Sequence, residues 1–149
     1  MSRVFALFAL LLLASCSRVD FGYADGTSGR FTDWSGRWVV INYWAEWCAP
    51  FRYEIPELNE LATDAPADVL VVGVNYDGLV GENLAQLIER MGIEFSVMLV
   101  DPRTHFGYDR PSVLPTTVLI DPDGRVKETL VGPQTRDSLA ERMNVSAPM

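Results

Sequence analysis

The chain has 149 residues, which is enough for one domain with a sizeable core and too few for two. Hydrophobic residues make up 48% and charged residues 21%, which is ordinary for a globular protein and excludes a disordered chain or a multi-span membrane protein. The formal net charge is −8 and the chain has no basic stripe, which excludes a nucleic-acid partner because phosphate binding needs clustered Lys and Arg.

The first residues have the pattern of an export signal. A short basic start precedes the apolar run of residues 4–13, which is too short to span a bilayer as a helix. The run leads into residues 13–16, LASC, which resemble the lipobox of bacterial lipoproteins, where the signal is cut before the cysteine and the cysteine is acylated. Residues 1–15 are therefore predicted to be a signal peptide and Cys16 the lipidation site. An ordinary signal cut near Ala14, or an uncleaved anchor, is the alternative.

Lipidation of Cys16 would hold the mature chain on a membrane, since each buried CH₂ of an acyl chain contributes about 0.8 kcal/mol. Ser17 resembles the outer-membrane sorting residue of Gram-negative lipoproteins, so we expect the periplasmic face of a membrane, with the outer membrane favoured. Residues 16–30 are predicted to form a tether that runs into a small hairpin turning at Asp25-Gly26. Cys48 is then the one remaining cysteine of an exported domain, and is either a reactive thiol or half of an intermolecular pair.

The rest of the chain, residues 31–145, alternates between strand and helix patterns. Runs of β-branched and aromatic residues predict buried strands, and the last two are joined by the turn at residues 121–124. The predicted strands cover residues 38–44, 69–74, 95–100, 116–120 and 126–131.

Helical spacing of apolar residues predicts three helices between these strands. They run from just after Pro50 to about residue 62, with Pro56 inside, from about residue 84 to Gly92, and from Thr135 as the cap to about residue 143. Residues 103–114 are predicted to be irregular. This order predicts a mixed α/β sheet covered on both faces, but it does not decide which α/β fold is formed.

Two segments carry a more specific resemblance. Residues 44–50, WAEWCAP, resemble the active-site segment of the thioredoxin superfamily, and residues 114–121, LPTTVLID, resemble its cis-proline strand. Pro56 matches the proline that kinks the helix in that family, and the chain is most similar to the membrane-tethered TlpA/ResA-like branch. The resemblance covers about residues 20–139. It implies a thioredoxin-like fold with a central mixed sheet and helices on both faces.

The resemblance implies that Cys48 is the catalytic nucleophile. A cysteine at a helix N-terminus is favoured as the thiolate, which is the form that attacks disulfides. The residues expected to contact a substrate are the neighbours of Cys48 and the cis-proline segment, where an extended peptide could pair with the backbone. These are Trp47, Pro50, Phe51, Leu114 and Pro115.

Phe51 is also the main departure from the family pattern. Members that exchange dithiols have a second cysteine three residues after the first, and here that residue is Phe51. A phenylalanine cannot resolve a mixed disulfide, so the resolving thiol would have to come from a partner. We expect the ring of Phe51 to enlarge the apolar surface of the groove.

Glu54 is the second candidate catalytic residue. It matches a glutamate that the ResA-like branch places near its thiols, whereas Asn42 stands where thioredoxins proper have a buried aspartate. If Glu54 is partly buried, its pKa rises and it can transfer a proton to or from sulfur. The alternative is a solvated carboxylate near the start of the helix.

Together these features predict a monothiol thiol–disulfide oxidoreductase that forms mixed disulfides with exported proteins or with a small thiol such as glutathione. One alternative is a non-catalytic binding or accessory protein of the same fold. Another is a one-cysteine peroxidase, which Ala45 disfavours because those enzymes have Thr three residues before their cysteine. No cofactor and no metal site are expected, since His105 is the only histidine and the glycines lack the spacing of a nucleotide loop.

Overall fold

The structure is a computed structural model that describes residues 18–64 and 66–145. The predicted signal peptide, the predicted lipidation site Cys16 and Ser17, the predicted sorting residue, lie outside these residues. No helix within them is long and apolar enough to cross a membrane. In chain order the elements are β1 (Phe21–Gly22), β2 (Ser28–Gly29), a 3₁₀ turn (Phe31–Trp34), β3 (Trp38–Trp44), α1 (Phe51–Asp64), β4 (Val69–Asn75), α2 (Gly81–Met91), β5 (Ser96–Met98), α3 (Arg103–Phe106), β6 (Thr116–Ile120), β7 (Val126–Val131) and α4 (Arg136–Met143).

Five strands form one mixed sheet in the order β5-β4-β3-β6-β7. β3 lies at its centre, parallel to β4 and antiparallel to β6. The apolar run that predicts this strand is buried from Val39 to Trp44, because a central strand with both faces covered has no side chain directed to solvent.

The two faces of the sheet carry separate hydrophobic clusters, because successive side chains of a strand point to opposite sides. Val40 and Trp44 of β3 belong to the first cluster, which the three longer helices α1, α2 and α4 cover. Ile41 and Tyr43 belong to the second, which is covered by the N-terminal hairpin, the 3₁₀ turn and α3. The predicted mixed sheet with helices on both faces is therefore confirmed, with the larger helices on one side.

On the first face of the sheet, the rings of Phe95 and Trp44 pack directly against Gly73 of β4. A Cβ atom there would lie 2.7 Å from Cε2 of Phe95 and 2.9 Å from Nε1 of Trp44. Only a residue without a side chain leaves room for both rings, so this glycine sets the position of Trp44 at the end of β3.

The N-terminal hairpin covers the outer edge of β5. The amide of Ala24 donates to the carbonyl of Val97 at 2.8 Å, and the amide of Leu99 donates to the carbonyl of Gly22 at 2.9 Å. These bonds satisfy backbone groups that an edge strand would otherwise leave unpaired. Phe21 of the hairpin is buried in the second cluster, so the segment packs onto the domain.

Glycine and capping residues in the sequence predicted the end of α2 and the start of α4 correctly. Gly92 has a left-handed φ of 68° after α2, and the Oγ1 atom of Thr135 accepts a bond from the amide of Ser138 at the start of α4. Other bounds differ from the prediction by one to three residues, as at the start of α2, which is residue 81 and not about 84. β5 covers only Ser96–Met98 of the expected residues 95–100, and α3 lies inside the segment expected to be irregular. A helix of four residues is too short to show a periodic apolar pattern.

Candidate functional site

Cys48 lies in the turn between β3 and α1. Its amide donates to the carbonyl of Ala45 at 3.1 Å, and its own carbonyl accepts from the amide of Phe51 at 3.2 Å. The sulfur therefore precedes the first turn of α1, where free N–H groups favour negative charge. The thiol forms no disulfide, and the residue is only 5% exposed. A partner's sulfur thus has a narrow approach to it.

The cis-proline segment lies at the same end of the sheet. The Leu114–Pro115 peptide bond is cis, as the resemblance implies. Thr116 follows directly and pairs with Tyr43 of β3, so the antiparallel register places Pro115 beside the point where the Cys48 turn leaves the sheet. The carbonyl of Pro115 accepts from the amide of Gly132 at 2.9 Å, which joins this segment to the end of β7.

Trp47 and Pro50 form exposed surface on either side of Cys48 in the chain. Trp47 is 65% exposed, and its indole Nε1 donates to the two carboxylate oxygens of Asp77 at 3.2 and 3.1 Å. Pro50 is also exposed, whereas Leu114 is half-buried and packs against both hydrophobic clusters. Three of the residues expected to contact a substrate therefore present some surface at this end of the sheet.

The expectation for Phe51 was wrong. The ring does not enlarge an exposed groove: it is fully buried and stacks on Trp44, with ring centroids 5.4 Å apart and planes 15° from parallel. Phe51 is the first residue of α1, and this face of the helix is directed at the sheet. The residue in the position of the second cysteine is thus part of the core.

Glu54 is fully buried, so the alternative of a solvated helix carboxylate is also wrong. Its Oε2 atom accepts a bond from Nδ2 of Asn42 at 3.0 Å. Its Oε1 atom accepts from the backbone amide of Gln134 at 3.0 Å and from Oγ1 of Thr117 at 3.4 Å. Three donors from β3, β6 and the segment before α4 converge on one carboxyl group.

The surroundings of Glu54 raise its pKa, so that its carboxyl group is partly protonated near neutral pH. Burial removes the carboxylate from water and raises the pKa of Glu54 to about 7, although the bonds from Gln134, Asn42 and Thr117 act in the opposite direction. A group with such a pKa changes its protonation state at ordinary pH, as a general acid or base must.

Sequence reasoning missed Thr117 and Gln134 as partners of Glu54. Asn42 and Thr117 are directly opposite each other in the β3–β6 ladder, and Nδ2 of Asn42 also donates to Oγ1 of Thr117 at 3.0 Å. The signal for Thr117 is a polar residue inside a buried strand, which requires a hydrogen-bond partner. Gln134 contributes only a backbone amide, for which the sequence has no signal. Within residues 18–64 and 66–145, no three His, Cys, Asp or Glu side chains are arranged to hold a metal ion.

Comparisons with known proteins show that the chain is similar to thiol-disulfide oxidoreductases. A sequence profile described as the AhpC/TSA family matches residues 18–129. The chain is 31% identical over 134 residues to the thiol-disulfide oxidoreductase ResA of Geobacillus thermodenitrificans, covering 87% of this chain and 75% of that one. It is 32% identical over 132 residues to ResA of Bacillus subtilis, with coverages of 83% and 71%. The solved structure of a DsbF homologue from Corynebacterium diphtheriae superposes with a TM-score of 0.67 at 26% identity, covering 83% of this chain and 81% of that one.

Proposed function

The chain belongs to the AhpC/TSA family and has the thioredoxin-like fold of thiol-disulfide oxidoreductases, and we propose that it is an exported member that acts through the single thiol of Cys48. The observation that carries this proposal is the position of Cys48. It lies immediately before the N-terminus of α1, at the end of the sheet where Pro115 also lies. This arrangement supports a reactive thiolate next to a segment that can receive an extended peptide.

The proposed reaction is a thiol–disulfide exchange in two steps. The Cys48 thiolate attacks one sulfur of a partner's disulfide, the partner's S–S bond breaks, and its second sulfur leaves as a thiolate. A thiol from the partner, or a small thiol such as glutathione, then attacks the mixed disulfide and releases Cys48. The second step needs this external thiol because Phe51 replaces the internal one.

Glu54 is proposed to supply and accept the proton in these steps. Its pKa of about 7 lets it protonate the departing thiolate and later accept a proton from the attacking thiol. Its Oε1 atom is bonded by Gln134 and Thr117, and its Oε2 atom only by Asn42.

The proposed partners are exported proteins with accessible thiols or disulfides. The exposed indole of Trp47 and the pyrrolidine of Pro50, together with the half-buried Leu114, offer an apolar surface for an unfolded or extended segment, whereas Pro115 itself is buried and would act through its backbone. The lipobox at residues 13–16 supports attachment to a membrane through Cys16, and Ser17 supports the outer membrane of a Gram-negative cell.

The test is to trap mixed disulfides on the full chain expressed in a bacterial envelope. Cells are acid-quenched, free thiols are blocked, and adducts are separated without reductant and located by peptide mass spectrometry. The proposal expects adducts on the Cys48 peptide that vanish with reductant and in Cys48→Ser. An absence of Cys48 adducts under oxidising growth would overturn it. Mass spectrometry of the Cys16 peptide separately shows whether that cysteine carries a lipid.

A second candidate is a binding protein that uses the same surface without redox turnover. It is favoured by the burial of Cys48, which is only 5% exposed. It is also favoured by Phe51, because the residue in the position of a resolving cysteine is packed in the core. It expects Cys48→Ser to retain both the partners captured by the full chain and the phenotype. The redox proposal expects both to be lost.

A further inference from the structure

The chain between α3 and β6 carries Leu114 and Pro115, whose backbone the proposed function uses to receive a substrate. Residues 107–115 lie outside every helix and strand of the described structure. A segment without the hydrogen bonds of a helix or strand has to be held by other contacts before a substrate can pair with it, because ordering it during binding costs free energy. The contacts that hold residues 110–113 therefore affect how Pro115 is presented to a partner.

Three contacts join Arg110 and Pro111 to one residue, Tyr76, which directly follows β4. A terminal nitrogen of Arg110 donates to the backbone carbonyl of Tyr76 at 2.6 Å, and the guanidinium lies over the tyrosine ring, 3.9 Å from its centroid. The hydroxyl of Tyr76 donates to the carbonyl of Pro111 at 3.0 Å. Two hydrogen bonds and a cation over the ring face fix both the backbone of this segment and the direction of the tyrosine side chain.

Tyr76 is also attached to the turn that holds Cys48. Its amide donates to the carbonyl of Trp44 at 2.8 Å, at the end of β3. The next residue, Asp77, accepts two hydrogen bonds from the indole of Trp47, at 3.2 and 3.1 Å. The turn of the nucleophile and the segment that leads to the cis-proline are thus bound to the same two residues after β4.

The end of the same segment is bound to β6. Oγ1 of Thr116 donates to the carbonyl of Val113 at 2.7 Å. Leu114, the residue between them and Pro115, packs against the second hydrophobic cluster, as Tyr76 does. The segment is therefore attached to β4 through Tyr76 and to β6 through Thr116, and these two attachments set its place relative to the end of β3.

We propose that Tyr76 and Arg110 are positioning residues for peptide substrates. They hold the backbone of Leu114 and Pro115 in place relative to the sulfur of Cys48, so that a peptide paired with that backbone has its own sulfur placed for attack. This inference rests on the proposed exchange at Cys48, and it adds a preference for extended peptides over small disulfides. A small disulfide does not pair with the backbone, so its reaction with Cys48 does not depend on Tyr76 or Arg110.

The test compares two disulfides that have the same leaving group. One is a short peptide of Ser, Thr and Val around a single cysteine, which is joined to thionitrobenzoate, and the other is mercaptoethanol joined to thionitrobenzoate. The Cys48 thiolate attacks the sulfur of the cysteine or of mercaptoethanol, the S–S bond breaks, and thionitrobenzoate leaves as a coloured thiolate. The full-length chain is used in detergent, and the rate measured with Cys48→Ser is subtracted as background.

The variants are Arg110→Gln, which removes the cation over the ring, and Tyr76→Phe, which removes the hydroxyl but keeps the ring. Arg125→Gln is the matched control for the first, since Arg125 lies in the turn between β6 and β7, at the other end of β6 from Pro115. Tyr23→Phe is the control for the second, because Tyr23 is also half-buried against the second cluster but belongs to the N-terminal hairpin.

We expect the reaction with the peptide to slow about tenfold in Arg110→Gln and about threefold in Tyr76→Phe, while the reaction with the small disulfide stays within about twofold. The two controls should leave both rates unchanged. An equal loss with both disulfides would overturn the inference, because it would show a general effect on Cys48. Wild-type rates with the peptide in Arg110→Gln, or an equal loss in a variant and its control, would also overturn it. If the wild-type chain reacts no faster than Cys48→Ser with either disulfide, the proposed exchange itself fails, and the inference fails with it.

Discussion

The side-chain amide of Asn42 in β3 donates a hydrogen bond to Oε2 of Glu54 in α1, with 3.0 Å between the two atoms and both residues fully buried. The pair exchanges the roles that the resemblance to thioredoxins would assign. The strand position that holds a buried aspartate in thioredoxins proper holds an amide here, and the helix supplies the buried acid instead. The buried acid is therefore on the same helix whose N-terminus follows Cys48.

The pH dependence of stability should reveal Glu54. Burial raises its pKa from 4.5 in a model peptide to about 7, so the folded state holds a proton that the unfolded state loses. The free energy of unfolding should therefore fall as pH rises from about 4.5 to 7 and level off above that, by about 3 kcal/mol in total. Urea unfolding at several pH values measures this. In Glu54→Gln the same decline should be missing, and an equal decline in both proteins would contradict the assignment.

A second acid beside Glu54 should make stability more sensitive to pH. Asn42→Asp replaces the donor to Oε2 with another carboxyl group, and two carboxylates at this distance cannot both ionise in the core. We expect the variant to lose roughly 3 to 5 kcal/mol at pH 8 and much less at pH 5, where the two groups share a proton. The double variant Asn42→Asp with Glu54→Gln is the control, and it should regain part of the stability at pH 8. No difference between the two pH values would show that the carboxyl groups do not interact.

Variants at residue 51 should distinguish the effect of a second thiol on activity from the effect of losing the packed ring of Phe51 on stability. Phe51→Cys returns the two-cysteine pattern but removes a fully buried ring stacked on Trp44, which should cost about 3 kcal/mol. Phe51→Ser creates a cavity of similar size without a thiol. Reduction of a disulfide substrate with an external reductant should rise in Phe51→Cys and not in Phe51→Ser. Equal activity in the two variants would mean that the helix start does not bring the two sulfurs together.

Packing around Trp44 should depend on the missing side chain at Gly73. Gly73→Ala places a methyl group 2.7 Å from Phe95 and 2.9 Å from Trp44, so both rings have to move. The expected loss is about 1 to 3 kcal/mol in the free energy of unfolding, as for other overpacked cores. Gly22→Ala is the matched control in a strand, because its nearest contact is an ordinary 3.5 Å from Leu99. Chemical denaturation of both variants tests the point, and equal stability of the two would contradict it.

Features that depend on neighbouring residues in the chain were predictable from the sequence. The apolar run of β3, the glycine after α2 and the cap at Thr135 all result from periodicity or from backbone groups within one turn of a helix. The position of Cys48 between a buried strand and a helix belongs to the same class, because both elements are continuous with it.

Such local patterns were enough to predict the order of the elements, the thioredoxin-like pattern and the place of Cys48 within it. They were not enough to predict that Phe51 is in the core or that Glu54 is fully buried, since burial depends on which face of α1 packs against the sheet. The donors to Glu54 come from positions 12, 63 and 80 residues away in the chain. Contacts over such separations have no local pattern, because they form through packing and not through backbone periodicity.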